Sequence, residues 1–137
     1  MMTLPFSFLS LASRNASTEH EVAVSYDTTY DNFTAPVATL SCSANLTALG
    51  FTDLGSLPGF PYVGGSFAVS ANGSTGCARC WELSFNGSSV NVLTVDYADE
   101  GFNVAKAAMN GLTGGDAKEL GVLIAKAVEI DVSECGM

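Results

Sequence analysis

The sequence predicts a mainly β fold with short helices, closed as a small barrel of about six strands. Three observations carry this. Strand-like segments outnumber the two or three helical ones. The glycine-rich crossovers are too long for a simple succession of hairpins. Closure removes the exposed edges that so many short strands would otherwise leave.

The elements follow in order. Glu21 to Tyr26 alternates, with Val22, Val24 and Tyr26 on one face, and reads as the first strand. Asp27 to Pro36 is a polar loop. Val37 to Cys42 reads as extended and leads into a brief helix, Ser43 to Leu49, with Ser43 as its N-cap and Gly50 as its stop. Asp53 to Gly65 is dense in glycine and proline, with a short strand at Phe60 to Val63; another is expected at Ser66 to Ser70. Ala71 to Gly76 is a small-residue loop.

The clearest pattern begins at Cys77. Trp81, Leu83 and Phe85 alternate with Glu82, Ser84 and Asn86, and Asn86-Gly87 is a strong two-residue turn signal because both positions tolerate positive φ. Trp81 lies on the apolar face and reads as core. Val90 to Val95 is apolar enough to be buried on both faces. Asn103 to Leu112 has helical spacing, Asp116 to Leu120 adds a turn, and Val122 to Val132 is the last strand.

The net charge is −9 and the charged fraction only 14%. Nucleic acids and anionic membranes, which need clustered Lys and Arg, are poor partners for such a chain. A neutral ligand such as a polysaccharide suits it better. Nothing is long and apolar enough to span a bilayer.

Four cysteines in so short a chain read as two structural disulfides, with three pairings open. Cys77-x-x-Cys80 lacks the second close pair of a zinc site, and it runs into a strand rather than opening a helix as a redox pair would. No metal or cofactor is expected. Five N-x-Ser/Thr sequons, at Asn15, Asn32, Asn45, Asn72 and Asn86, fit a glycosylated secreted surface. Residues 1–18 read as a signal peptide with a short apolar run and no basic start, and 19–137 as the folded domain.

Asp96 is the leading functional candidate. It follows a buried run, so its carboxylate must be hydrogen-bonded or face a wet cleft. The alternative is a strand-end acid that accepts backbone N–H groups. Around it, Tyr26 and Tyr30 can stack on a sugar while offering a hydroxyl. Asn103 offers an amide donor and acceptor, or else caps the helix it opens. Asp27 lines the groove or caps a turn. Glycoside hydrolysis needs two carboxyls across the bond. Asp27, Asp99 and Glu100 are the available partners for Asp96, and Asp99 and Glu100, three and four residues beyond it on one loop, are poorly placed to flank a sugar from opposite sides.

The runs V-S-Y-D (24–27), L-P-G-F-P-Y-V-G-G (57–65), C-A-R-C-W-E-L (77–83), V-N-V-L-T-V-D (90–96), G-F-N-V-A-K-A-A-M (101–109), L-T-G-G (112–115) and the terminal C-G (135–136) together resemble the cerato-platanins, small secreted fungal proteins. The resemblance implies a six-stranded double-psi β-barrel, shared with the first domain of expansins, and the disulfides Cys42–Cys77 and Cys80–Cys135. It implies a groove built on Asp96. It also implies binding of N-acetylglucosamine oligomers, chitin or cellulose, loosening of polysaccharide without hydrolysis, and elicitation of plant defence through a surface receptor. No catalytic residue is expected. A monomer is the expected state. The competing readings are a surface-active, self-assembling wall protein and a glycoside hydrolase. The chain departs from the family pattern at Tyr97, where relatives carry His, at Phe51, where they often carry Trp, and at Asp99, where a small residue is usual. It also has Ser70-Ala71-Asn72 where Gly-Trp-Asn is common. The loss of aromatics weakens the case for tight binding to a crystalline polysaccharide face.

Overall fold

The computed structural model describes residues 18–137. The signal-peptide reading and the Asn15 sequon lie outside the described residues. Six strands close into a barrel: β1 (His20–Tyr26), β2 (Val63–Ser66), β3 (Cys80–Phe85), β4 (Ser88–Tyr97), β5 (Phe102–Val104) and β6 (Val122–Ile130). The order around the barrel is β1-β5-β2-β4-β3-β6. β1 with β5 and β2 with β4 are parallel; the other neighbours are antiparallel. The helices among the described residues are α1 (Ser43–Ala48), α2 (Lys106–Thr113) and α3 (Ala117–Leu120), with three 3-10 turns between β1 and β2 and a fourth after β6.

Local chemistry explains most of the frame. The β3–β4 hairpin turns at Asn86 and Gly87, with φ of 49° and 81°, which sets Phe85 opposite Ser88. On β6, Leu123, Ala125 and Ala127 point inward while Val122, Ile124 and Lys126 face out. Val92, Leu93, Thr94 and Val95 of β4 are all fully buried. The barrel interior takes one face of that strand, and α2 packs beside it with Ala108, Met109 and Leu112 buried. Thr94 satisfies its hydroxyl by donating to Gly76 O at 2.7 Å and accepting from Arg79 N at 3.0 Å, which ties down the cysteine-bearing loop. Trp81 is 5% exposed and packs edge-on against Phe102 and Phe67, as its place on the apolar face predicts.

The two disulfides are Cys42–Cys77 and Cys80–Cys135, with Cα–Cα distances of 5.6 and 5.7 Å. The first joins the start of α1 to the loop before β3. The second joins β3 to the C-terminal turn, Val132–Cys135. With sequence separations of 35 and 55 between the paired cysteines, each disulfide stabilises by about 4 kcal/mol in the chain-entropy description.

Several expectations give way. The glycine-rich strand forms at Val63–Ser66, not Phe60–Val63, and residues 67–70 turn rather than extend. Val37–Thr39 is a 3-10 turn, not a strand. Ser43 is the first residue of α1; Cys42 holds the cap position and makes no side-chain cap bond. Asn103 does not cap a helix: it lies in β5, and α2 starts three residues later. The cap comes from a distant loop instead. Asp31 accepts from Lys106 N at 2.7 Å and Ala107 N at 3.0 Å. The last strand ends at Ile130, ahead of the final 3-10 turn.

Candidate functional site

The site is built on one row across four strands. Ser25 of β1 is in register with Asn103 of β5, Asn103 with Gly65 of β2, and Gly65 with Asp96 of β4. The neighbours on the same strands, Val24, Phe102, Val104 and Val95, are buried. Ser25, Asn103 and Asp96 are half-buried on the opposite face, as strand alternation requires. Ser25 Oγ donates to Asn103 Oδ1 at 3.0 Å, which fixes the amide. Its NH2 group is then left with no protein acceptor among the side-chain bonds of the described residues.

Gly65 contributes no side chain between Asn103 and Asp96. The backbone register slips between Gly64 and Gly65, where β2 wedges between its two partners. A Cβ on Gly64 would lie 2.6 Å from both Asn103 O and Val104 Cα. The paired glycines therefore bring the β4 and β5 polar residues onto one surface, about 10 Å apart by two inter-strand spacings.

Asp96 lies within β4 rather than beyond its end, because the strand runs on to Tyr97. Three donors converge on its carboxylate. Oδ1 accepts from Ser41 N at 2.8 Å and Tyr97 N at 3.1 Å, and Oδ2 accepts from the Tyr30 hydroxyl at 2.7 Å. A carboxylate offers about four acceptor positions, so this one is held rigidly and keeps capacity for roughly one further donor.

Tyr30 is 6% exposed, so its ring is not a stacking surface; it acts on the row through Asp96. Burial, then the Asp96 hydrogen bond, push its phenol far above the usual tyrosine range. Asp27 is exposed and caps the 3-10 turn Thr28–Asp31, accepting from Thr29 N at 2.9 Å. That turn delivers both Tyr30 to Asp96 and Asp31 to α2. Tyr26 is half-buried, with Lys106 Nζ 5.8 Å from its ring centroid. The Tyr97 hydroxyl donates to Asp99 Oδ1, and that bond raises its pKa.

Sequence reasoning named Asp96, Asn103, Tyr26, Tyr30 and Asp27; the structure links Tyr30 to Asp96 and sets Asn103 in register on the same row, and it adds Ser25, Asp31 and the Ser41 backbone, which that reasoning did not name. Only Ser25 left a trace, inside the quoted V-S-Y-D run. The remaining sequons at Asn32, Asn45, Asn72 and Asn86 are all exposed. Two concavities, of ≈ 410 and ≈ 380 Å³, lie elsewhere on the barrel, and Asp96 lines neither. Among the described residues no group of three or more His, Cys, Asp or Glu could hold a metal ion, and no helix is long and apolar enough to cross a membrane.

These features define a small, disulfide-stapled β-barrel with a rigid polar row on its surface. A family model for cerato-platanin matches residues 22–137. The chain is 34% identical to the heat-stable 19 kDa antigen of Coccidioides posadasii, over 83% of this chain and 80% of that one. It superposes on the crystal structure of cerato-platanin 2 from M. perniciosa with a TM-score of 0.81 and 37% identity, covering 86% of this chain and all of that one. The solution structure of the fungal elicitor cerato-platanin gives a TM-score of 0.73 at 30% identity, covering 83% of this chain and 96% of that one. The chain belongs to the cerato-platanin family. An expansin from Clavibacter michiganensis, solved as a mutant with cellohexaose, shares the fold at a TM-score of 0.58 and 12% identity, over 82% of this chain and 50% of that one.

Proposed function

We propose that this protein is a secreted, non-hydrolytic polysaccharide-binding protein that loosens its target and is sensed by plants as an elicitor. The observation that carries the reading is the row Ser25–Asn103–Gly65–Asp96: a fixed amide and a fixed carboxylate flank a gap at a glycine. Such a row can donate to and accept from sugar hydroxyls along an extended chain, and so compete with the hydrogen bonds between neighbouring chains. N-acetylglucosamine oligomers, as in chitin, and cellulose are the candidate ligands. The elicitor named above and the expansin solved with cellohexaose support the two halves of the reading by analogy.

Loosening without cleavage fits the carboxyl groups. Asp96 has its oxygens occupied by three donors, and Asp99 is engaged by Tyr97. Glycoside hydrolysis needs an acid and a base or nucleophile on opposite sides of the bond. The test pairs an oligomer-binding titration with a reducing-sugar assay. Binding and filter-paper weakening without new reducing ends, both impaired in Asp96→Asn, support the reading. Release of reducing ends, or Asp96→Asn behaving as wild type, sinks it.

A further inference from the structure

We infer that the barrel carries a second carbohydrate subsite, at the other end of β4 from Asp96, centred on Tyr62. This rests on the polysaccharide-binding reading above. A concavity of ≈ 380 Å³ opens there between the Pro58–Tyr62 turn and the C-terminal turn, with Tyr62, Asn91 and Glu134 as its functional side chains.

Both walls are anchored. Tyr62 N donates to Gly59 O at 2.9 Å, and Tyr62 O accepts from Leu93 N of β4 at 3.0 Å. The opposite wall is fastened by the Cys80–Cys135 disulfide, and Asn91 Nδ2 reaches Glu134 O at 3.4 Å. Two glycines set the width. A Cβ on Gly136 would lie 2.9 Å from Pro58 Cβ, closing the cleft between the turns. A Cβ on Gly111 of α2 would lie 2.5 Å from the Tyr62 hydroxyl. The bare backbone at Gly111 therefore seats the Tyr62 side chain, and the ring is in place before any ligand arrives.

The chemistry of the cleft selects a neutral pyranose. A half-buried tyrosine provides an amphipathic surface for the C–H face of a sugar. Among the described residues, the Asn91 amide keeps a free carbonyl oxygen and the exposed Glu134 carboxylate makes no side-chain hydrogen bond or ion pair. Both accept from hydroxyls. With Glu134 inside and a net charge of −9 overall, anionic sugars and phosphates are disfavoured. Asn91 and Asp96 are five residues apart on one strand, about 16 Å. A polymer long enough to reach both gains from simultaneous engagement.

The test is a backbone-amide NMR titration of the oxidised protein with an N-acetylglucosamine oligomer, repeated with Tyr62→Ala, Glu134→Gln and Gly111→Ala. The inference expects shifts around Tyr62, Asn91 and Glu134 that saturate, and an affinity there weakened about three- to tenfold by Tyr62→Ala. Gly111→Ala should weaken it too, by displacing the ring without deleting a ligand group. Should Tyr62→Ala unfold the protein, Glu134→Gln on the exposed turn carries the test. Shifts confined to the Asp96 row overturn the second subsite and leave the first intact. Shifts confined to the Tyr62 cleft support it and overturn the Asp96 assignment. No shifts at either place overturn both.

Discussion

The Tyr30 hydroxyl donates to Asp96 Oδ2 at 2.7 Å across 66 residues of sequence. This bond joins the first loop to the central strand of the site. It makes Asp96 a fixed acceptor and keeps its carboxylate aligned with the Asn103 amide.

Tyr30→Phe removes the donor and keeps the ring. The expected loss is about 1–2 kcal/mol of stability, read as a melting temperature lower by about 4–8 °C. Oligomer affinity should fall as well, because Asp96 loses its orienting partner. A variant as stable as wild type would show that this bond adds nothing to the fold.

The same residue shapes the alkaline limit. Tyr30 holds its proton more tightly in the fold than in the unfolded chain, whose phenol titrates near 10.0. Stability from this group is complete below that pH. It is lost as pH rises above it, because the unfolded chain releases a proton that the fold retains. Wild type should lose stability more steeply than Tyr30→Phe above about pH 10. Parallel pH profiles from denaturant melts would contradict this.

Asp31→Ala removes the acceptor for two N-terminal amides of α2. The cost should be about 1 kcal/mol, with Asp31→Asn recovering part of it. Urea unfolding of the three proteins measures this. Equal midpoints would mean that water replaces the cap without loss.

Gly64→Ala sets a Cβ 2.6 Å from two backbone atoms of β5. Backbone cannot step aside as a side-chain tip can, so the cost should reach about 3 kcal/mol or more. Gly114→Ala is the control: its φ is +72° but its surroundings are open, so only the backbone penalty of about 1 kcal/mol applies. Similar melting temperatures for the two variants would refute the wedge at Gly64.

Removing the Cys80–Cys135 pair by a double Ser substitution should cost about 4 kcal/mol. It should also open the Tyr62 cleft, whose far wall that disulfide holds. Thermal melts with and without reductant check the first effect.

Where a pattern was long enough, the sequence was read correctly. The β3–β4 hairpin, the buried β4 run and the last strand follow from residue pattern and turn chemistry alone. The failures are short or glycine-rich. β5 has three residues, too few for a period-two signal, and helical spacing from α2 ran back over it. β2 is Val-Gly-Gly-Ser, with little strand propensity of its own; its place depends on fitting between β4 and β5.

The sequence by itself determined the strand-rich class, the acidic net charge and the four cysteines for two disulfides, and it singled out Asp96 as a candidate. These depend on residue type and local spacing, which a linear chain displays. Only the tertiary structure decided that Asp96 pairs with Gly65 in line with Asn103 and Ser25, that Tyr30 is buried as its partner, and that Asp31 caps a helix 75 residues away. Each of these is a register or a long-range contact set by barrel closure, and no local pattern in the chain encodes it.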